Sequence, residues 1–371
     1  MLGTREIRSL RLRSLLLTEG AAGGPVGVAS HFLAMQAQDF PSSRWALGVR
    51  SGATQAQVEQ AFNDRQIVRS WPLRGTLHAV PAADLTWLLR VKAMQRATSA
   101  KRWRERLGLS QDHIETVRIG VIETLAGDRR LGRDALIEAV AGRGIRIEKH
   151  WKYHLLWVLA QTGTIVFGPV AAGQQLIALT DEWLAHTRQS EPEDPLAELA
   201  ARYVAAHGPA TVADLAWWAG LGKREAAQAL ESAGDRVTKV EDEHGQPLWM
   251  SPEVADRKPA SGTILLPAYD EHLLGYQDRD AMLNPAHNAA WCPGGNGVFR
   301  PTVVSDGKCV GVWKPAAQAQ LRRLRPDHPV PITIEWFDGV KPPDPDSLAA
   351  AANQYARFHG RETARVKFEK S

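Results

Sequence analysis

A recurring order of elements, helices followed by a two-stranded hairpin, constrains the fold of this chain more than any short motif in it. The copy that begins near residue 195 is the clearest. Its apolar residues follow helical spacing up to Gly208-Pro209, which ends the helix. Two further helices, over 211–218 and 224–233, precede the strands DRVTKV and PLWM, which the turn EDEHG joins. Three helices and a hairpin predict a unit of the winged-helix kind.

The same order occurs twice earlier in the chain. In the middle copy, apolar residues from Ile114 onward share a helical face, GRDALIEAVAGRG and HWKYHLLWVLAQTG predict two more helices, and TIVFG and QLIAL predict a hairpin. In the first copy, helices are expected at about 5–18, 25–38 and 54–63, and the strands IVRSW and TLHAV flank the turn PLRG. Residues 1–255 therefore predict three tandem winged-helix units.

The last third of the chain changes to short β-rich runs, namely TILLPAY, GVFRPTVV, KCVGVW and ITIEWF, with SDG as a hairpin turn. A closing helix is expected from Asp344, which can cap it, to His359, with Gly360 at its end. We predict an α+β fold in which tandem winged-helix units form a C-shaped body with a C-terminal β-rich module. The predicted segments are winged-helix unit 1 with the QxQ motif at 1–110, unit 2 at 111–190, unit 3 at 191–255, and the β-rich module with its C-terminal helix at 256–371.

Composition limits the classes of protein that this chain can be. With 371 residues, 44% of them hydrophobic, it can bury a large core, and a formal charge of +4 with a pI near 9.1 permits a polyanionic partner. Cys292 and Cys309 are too few for a disulfide framework or a multi-cysteine zinc site, which disfavours a zinc deaminase. Arg and Glu interrupt the segment MLGTREIRSLRLRSLLL, so we expect no signal sequence or membrane span there. The expected location is cytoplasmic, nucleoid-associated in a prokaryote.

The repeated units favour a nucleic-acid partner. A winged helix leaves one helix and its hairpin facing outward, a shape suited to a nucleic-acid groove. Three copies and a basic pI favour duplex DNA over the protein-interaction role that winged helices also serve. The third helix of the middle copy is largely apolar, which suits packing between units better than exposure in a major groove. We therefore expect one body with an open, concave surface for DNA.

Two glutamines one residue apart, Gln36 and Gln38, lie in LAMQAQDF just before Pro41. Proline disfavours helical geometry at Phe40, so the second helix is expected to end near Gln38, where a frayed last turn could bring both amides to one cleft. On spacing alone a capping or water-exposed role is favoured, because glutamine is common on helix surfaces. The spacing by itself therefore does not establish a site.

Four strings, LAMQAQDF, WPLRGTLHAVPAADL, LLPAYDEHLLGYQDR and GVFRPTVVSDGKCVGVWK, together resemble the AlkZ/YcaQ-type winged-helix DNA glycosylases over nearly the whole chain. Some relatives carry His in place of the first glutamine, whereas this chain has both. The resemblance implies excision of N7-alkylated purines, unhooking of interstrand crosslinks joined through guanine N7, and a catalytic motif formed by Gln36 and Gln38. Some members protect microbes that make bis-alkylating natural products, and we extend that self-resistance role to this chain as a hypothesis.

The implied chemistry explains why neutral amides would serve. Alkylation at N7 makes the base cationic, so it leaves without a strong acid, and the difficult species is the oxocarbenium ion of the sugar. A glutamine carbonyl can face that cation while it accepts a hydrogen bond from an attacking water. Since glutamine is not a general base, such a site suits labile cationic lesions. No lysine stands out as a Schiff-base nucleophile, so we predict a monofunctional glycosylase that uses water, without metal or cofactor.

Candidate DNA contacts precede the middle copy. Arg44 follows the glutamines closely and could hold a phosphate. In RGTLH, Thr76 and His78 would share one face of a strand, with Arg74 at its turn. The resemblance supports a position near the lesion for this segment. A wing packed on its own helices is an equally favoured interpretation, because Thr76 can simply fill the hairpin face.

A second candidate DNA-binding segment is NPAHNAAWCPGGNGVFRP, at 284–301, which is rich in Gly, Pro and Asn. It would suit a protruding hairpin or loop that probes a groove, with Asn296 and Arg300 as its contacts. The family places a DNA-probing hairpin in its later β region, which favours function here over an ordinary surface loop.

Two other clusters have the residue types of acid–base or metal sites, but structural roles are favoured for both. On a strand, only Asp270 and His272 of the sequence Asp270-Glu271-His272 would share a side, and hydrogen bonding across the β module is the favoured role. His150 and His154 have metal-compatible i, i+4 spacing but no third ligand nearby, which favours packing and capping.

Two further classes of function compete with the glycosylase. A noncatalytic winged-helix protein, a transcription regulator or damage sensor, would prefer a duplex sequence, whereas the glycosylase would bind phosphates and discriminate by lesion. A protein-interaction scaffold would expose a large apolar patch in place of a basic concave face. The leading hypothesis is a monomeric enzyme whose partner is double-stranded DNA with N7-alkylpurine or crosslink lesions, with no membrane partner.

Overall fold

A computed structural model describes residues 1–18, 23–91, 101–255, 260–325 and 327–369. Helices and strands alternate in it, which confirms the predicted mixed α+β class. The chain forms two compact units, a larger one from residues 1–58 and 196–371 and a smaller one from 59–195. The division into four segments stays a prediction. Within the described ranges, no helix combines the length and apolar character needed to cross a bilayer.

The described helices of the larger unit are Thr4–Ser14, Gly24–Phe32, Phe40–Ser51, Pro195–His207, Val212–Ala219, Lys223–Ser232, Pro252–Ala255, Glu271–Leu274, Asn288–Trp291, Gln318–Arg323 and Pro345–Phe358. The first residue of the fourth helix, Pro195, is the last residue of the smaller unit. Short 3-10 turns lie at Gly234–Arg236, Pro285–His287 and Pro293–Gly295. Those of the smaller unit are Leu85–Val91, Gln111–Leu125, Arg133–Ala141, Lys152–Gln161 and Thr180–Trp183, with a 3-10 turn at Ala82–Asp84 and helical residues at 101–107. The helix Gln55–Asn63 crosses the boundary between the units.

The third copy of the repeated order has the elements that the sequence predicts. Its helices are followed by the antiparallel strands Thr238–Glu241 and Pro247–Met250. Thr211 and Asp214 form a reciprocal capping box at the start of its second helix, so that two backbone N–H groups at the helix start gain side-chain acceptors. The boundaries follow the sequence closely here because caps and turn residues mark them locally.

The C-terminal sheet of the larger unit has the strand order Ala364–Glu369, Val330–Trp336, Lys308–Lys314, Thr302–Ser305 and Thr263–Leu266. Neighbours are antiparallel except for the first two strands, which run parallel. The SDG turn is confirmed: Asp306 (φ 50°) and Gly307 (φ 77°) have the positive φ angles that a tight hairpin requires. The strand Ala364–Glu369 was not predicted, because half of its sequence ARVKFE is charged and most of its residues are exposed.

The closing helix Pro345–Phe358 packs against both the helix Phe40–Ser51 and this sheet. Its N-terminus is capped as predicted, with Ser347 N–H donating to Asp344 Oδ1 at 2.9 Å. The Tyr355 ring meets the Trp45 ring edge-on at 5.1 Å, and Trp45 Nε1 donates to the Leu265 carbonyl at 2.8 Å. The helix Phe40–Ser51 is therefore held rigidly at its midpoint.

A glycine allows this close helix packing. A Cβ at Gly48 would lie 2.4 Å from Phe358 Cδ2. We expect Gly48→Ala to lower the free energy of unfolding by on the order of 1 kcal/mol. Overpacking by the new Cβ costs about 1–3 kcal/mol, and the higher helix propensity of alanine offsets part of this loss. Denaturant unfolding followed by circular dichroism would measure the loss.

The matched control is Gly142→Ala. Gly142 has φ −61° and ψ −15°, and a Cβ there meets only carbonyl oxygens at 3.4 and 3.5 Å, which is ordinary contact. That substitution should leave stability unchanged or raise it by about 0.4–1 kcal/mol. Equal midpoint shifts for the two variants would contradict the packing argument.

The smaller unit joins the hairpins of the first two copies in one sheet. Its strands are His78–Pro81, Ile67–Ser70, Ile165–Ala171 and Gln174–Leu179 in that order, all antiparallel. The apolar helix Lys152–Gln161 is buried against this sheet, as its composition predicts.

Candidate active site

The two glutamines lie in a segment between two helices that starts with the two-residue strand Met35–Gln36 and that we call the QAQ turn (residues 35–39). The preceding helix ends at Phe32, well before Gln38, and Leu33 has a positive φ of 63°. The next helix begins at Phe40, and Ser42 N–H donates to the Asp39 side chain at 2.9 Å. The prediction that the second helix reaches Gln38 is therefore wrong. Pro41 does not end a helix but lies in the first turn of the next one, where its missing N–H costs nothing.

The two glutamine side chains are in different environments. Gln36 is buried, and its Oε1 accepts hydrogen bonds from Ala37 N at 2.9 Å and Gln38 N at 3.1 Å. These two bonds occupy both lone pairs of the carbonyl oxygen and close the turn on itself. Gln38 is half-buried. Gln36 thus shapes the backbone, while the Gln38 side chain is the more accessible amide.

Glu271 holds this turn from outside. Its Oε1 accepts from the Gln36 backbone N–H at 2.6 Å, and its Oε2 accepts from His207 Nε2 and from Trp218 Nε1, each at 3.1 Å. Glu271 is 1% exposed. Reasoning from the sequence missed this role, because it placed Asp270-Glu271-His272 on a strand.

Residues 271–274 form one helical turn instead, so the predicted strand geometry is wrong. Asp270 caps that turn by accepting from His272 N at 2.9 Å, and both its oxygens pair with Arg50 at 2.8 Å. Burial lowers the pKa of His272 to about 4, so its imidazole is neutral at pH 7. Asp270 and His272 are thus part of the buried scaffold beneath the QAQ turn.

Tyr269 connects the scaffold with the segment 284–301. Tyr269 has φ 61°, an uncommon conformation for a bulky residue, and its ring meets the Phe299 ring at 5.5 Å. Phe299 in turn stacks on Trp291 at 4.5 Å. Burial, and then the charge of Asp39, raise the pKa of the Tyr269 phenol, so this side chain is neutral.

The segment 284–301 is a loop with short helical turns, so the hairpin alternative is wrong and the loop alternative holds. Asn296 is exposed at its tip, and its Oδ1 accepts from Val298 N at 3.0 Å. Arg300 is half-buried and pairs with Glu335 at 2.6 Å. Of the two candidates, Asn296 is therefore the more exposed.

Arg44 lines a cavity of about 260 Å³ next to the QAQ turn. It is 3% exposed, and its guanidinium lies 4.9 Å from the centre of the Phe40 ring. Trp45, Trp313 and Tyr355 supply aromatic walls, and neither glutamine lines the cavity. Arg44 is thus within a pocket, and a phosphate oxygen would have to enter that pocket to reach it.

The remaining candidates belong to the smaller unit. Arg74 (φ 48°) lies in the turn of the first hairpin, and Thr76 precedes the strand, which begins at His78. The prediction that Thr76 and His78 share a strand face is therefore wrong. His78 is fully buried, with Nδ1 2.9 Å from the Thr76 carbonyl oxygen, whereas Arg74 and Thr76 are half-buried.

The histidines with metal-compatible spacing differ in their surroundings. His154 is buried and stacks on Trp157 at 5.2 Å, and burial lowers its pKa to about 4. His150 is exposed, with Nδ1 3.4 Å from Glu148 Oε2. The part of the chain that the structure describes holds no group of three or more His, Cys, Asp or Glu side chains that could bind a metal ion.

Comparison with known proteins identifies the family and the fold. Residues 29–358 match the family described as DNA glycosylase AlkZ-like. An interstrand DNA cross-link repair glycosylase from Streptomyces sahachiroi is 24% identical over 338 residues, which cover 87% of this chain and 91% of that protein. The solved structure of the Streptomyces sahachiroi DNA glycosylase AlkZ superposes with a TM-score of 0.80 over the full length of both chains, at 21% identity.

Proposed function

This chain belongs to the AlkZ-like DNA glycosylase family, and we propose that it hydrolyses the N-glycosidic bond of N7-alkylated purines and unhooks interstrand crosslinks joined through guanine N7. The QAQ turn carries the proposal, because it offers the Gln38 amide on a backbone that the buried Gln36 amide and the buried Glu271 carboxylate hold. The name of the similar Streptomyces sahachiroi enzyme, which states interstrand cross-link repair, supports the crosslink substrate. Self-resistance of a producing microbe is a hypothesis that depends on this activity.

The chemistry follows from the charge of the lesion. An N7-alkylated purine is a cationic leaving group, so base departure needs no general acid, and the sugar carbon develops the positive charge. A preorganised carbonyl dipole stabilises such a charge without reorganisation at the moment of reaction. Neutral purines lack this built-in leaving-group charge, and an amide cannot supply the missing proton. A site built from glutamines should therefore act on cationic lesions and leave neutral purines in place.

The two glutamines divide the work. The Gln36 carbonyl oxygen already accepts two backbone N–H groups of the turn, so it maintains the turn's shape. Gln38 is half-buried and follows directly, so we assign its amide carbonyl to the attacking water. The proton of that water passes to solvent or to a phosphate oxygen, because the amide does not accept it. Water positioned in this way gives a free base and an abasic site.

We propose that DNA binds to the helix-and-hairpin units, which we propose to be winged helices, and to the loop at 284–301 of the C-terminal module. Arg74, Thr76 and Asn296 occupy turns or exposed tips, positions from which side chains contact the DNA backbone or groove. Arg44, His78 and Arg300 remain proposed contacts, but their burial or ion pairing indicates an additional structural contribution.

The decisive experiment measures base release by the wild-type protein from duplex DNA that carries one N7-methylguanine, detected as free base and as an alkali-labile abasic site. Release is expected from this duplex and from one with a guanine N7–N7 nitrogen-mustard crosslink, and no release from O6-methylguanine, whose base is neutral. If the protein bound DNA firmly but released no base from either cationic substrate, the alternative hypothesis of a noncatalytic winged-helix DNA-binding protein would replace this proposal.

A further inference from the structure

Glu271 connects the QAQ turn with two helices of the third copy, Pro195–His207 and Val212–Ala219. We infer that Glu271, acting with His207, is a positioning residue for base release: it fixes the Gln36 peptide and thereby the direction in which Gln38 presents its amide. The inference rests on the proposed function for its catalytic consequence, but the ordering of the turn by Glu271 can be measured without any substrate.

The contact between Glu271 and Gln36 has the properties of a strong hydrogen bond. At 2.6 Å, it joins a carboxylate oxygen to a backbone N–H in a site where the carboxylate is 1% exposed. Charge-assisted bonds of this kind are about twice as strong as neutral ones, and low dielectric strengthens them further. The Gln36 peptide plane is therefore tightly restrained.

The restraint extends to Gln38. The Gln36 side chain binds the backbone N–H groups of Ala37 and Gln38, so the turn moves as one piece. A rotation of the Gln36 peptide would shift Gln38 with it. Since a misplacement of about 1 Å can cost about 100-fold in rate, loss of the Glu271 bond should appear in the chemical step.

His207 compensates the buried carboxylate. Its Nε2 lies 3.1 Å from Glu271 Oε2 and its Nδ1 lies 3.1 Å from the Tyr203 carbonyl oxygen, so both ring nitrogens face acceptors. The imidazole thereby bridges the buried carboxylate and the last turn of the helix Pro195–His207. With Trp218 Nε1 and the Gln36 backbone N–H, it completes the polar surroundings of Glu271 in a buried site.

Tyr203 and Gly275 pack against the His207 imidazole on two sides. The Tyr203 ring stacks on the imidazole at 4.6 Å, and Gly275 lies against its edge. A Cβ at Gly275 would come within 2.4 Å of His207 Cδ2 and within 2.6 Å of the Glu271 backbone carbonyl oxygen, although φ −74° and ψ −12° are open to any L residue. Gly275→Ala therefore displaces His207 and the Glu271 backbone from each other while the Glu271, His207 and glutamine side chains keep their chemical identity.

The test combines hydrogen exchange with single-turnover kinetics on full-length protein. Glu271→Gln keeps the shape of the side chain but removes the charge, and one side of its amide must then face N–H donors. We expect amide exchange in residues 33–40 to accelerate about tenfold or more, and single-turnover release from N7-methylguanine to slow about 10- to 100-fold with unchanged duplex Kd. Gly275→Ala should change both quantities in the same direction.

His272→Asn is the matched control, because His272 lies on the same helical turn but bonds to the Gly307 carbonyl instead. It should lower the unfolding midpoint while exchange at 33–40 and the release rate of the folded protein stay at wild-type values. Unchanged exchange in both Glu271→Gln and Gly275→Ala would overturn the inference, as would faster exchange with an unchanged release rate. If the wild-type protein released no base, the proposed function would be overturned. Hydrogen exchange would still show whether Glu271 orders the QAQ turn, because that measurement needs no substrate.

Discussion

Gln38→Ala is expected to slow release of an N7-alkylguanine base by about 100- to 1000-fold, the range observed when one preorganised polar group that stabilises transition-state charge is removed. The reason is that Gln38 supplies the accessible amide of the QAQ turn, whereas the turn itself is closed by Gln36. Single-turnover measurement with enzyme in excess isolates the chemical step. Binding of the damaged duplex, measured by fluorescence anisotropy, should change little.

Two further variants separate direct chemistry from turn shape. Gln36→Ala should also slow release, but it should accelerate amide exchange across 33–40, which Gln38→Ala should not do. Gln60→Ala provides a glutamine deletion on an exposed helix surface, where the side chain contacts only Asp64 among its described bonds, and it should behave as wild type. A Gln38→Ala protein that releases base at the wild-type rate would remove Gln38 from the mechanism.

Asp270→Ala is expected to lower the free energy of unfolding by about 3–5 kcal/mol, the cost of leaving one member of a buried ion pair without its partner. The Arg50 side chain is 0% exposed and that of Asp270 is 4% exposed, with two bonds of 2.8 Å between them. Arg50 also donates to the carbonyls of Leu15 and Ala46, so it cannot turn toward water without breaking those bonds. Urea unfolding followed by tryptophan fluorescence would measure the shift.

The double variant Arg50→Met, Asp270→Leu separates the ion pair from generic packing. With both charges removed, the protein should recover much of the stability that Asp270→Ala alone loses, because no uncompensated charge is buried. If Asp270→Ala unfolded at the wild-type midpoint, the pair would contribute nothing to the scaffold beneath the QAQ turn.

Much of the fold could be predicted where its signals are local. The third copy, the SDG turn and the cap at Asp344 depend on residues that are neighbours in sequence, and each is where the sequence places it. The helix Phe40–Ser51 was missed, because Pro41 is compatible both with ending one helix and with beginning another. Only the Asp39 cap distinguishes the two cases, and its carboxylate was not considered as a helix start.

The site was harder to predict than the fold. The spacing of the glutamines alone favoured a surface role, and their importance came from the resemblance of several strings to one family. Glu271 is separated from Gln36 by 235 residues, and no periodicity links positions that far apart. The string LLPAYDEHLLGYQDR indicated the region, but a one-turn helix of four residues is too short to be distinguished from a strand by its pattern.

The larger unit is formed by two separate stretches of the chain, residues 1–58 and 196–371, so its parts are synthesised at different times. During synthesis, the glutamines leave the ribosome early, whereas Glu271, whose carboxylate bonds to the Gln36 backbone, emerges only after residues 59–195 and four more helices have been added. A nascent or prematurely terminated chain therefore contains the reactive motif without its orientation. A DNA glycosylase of this architecture thus completes the surroundings of its glutamines late in translation, when nearly three quarters of the polypeptide exists.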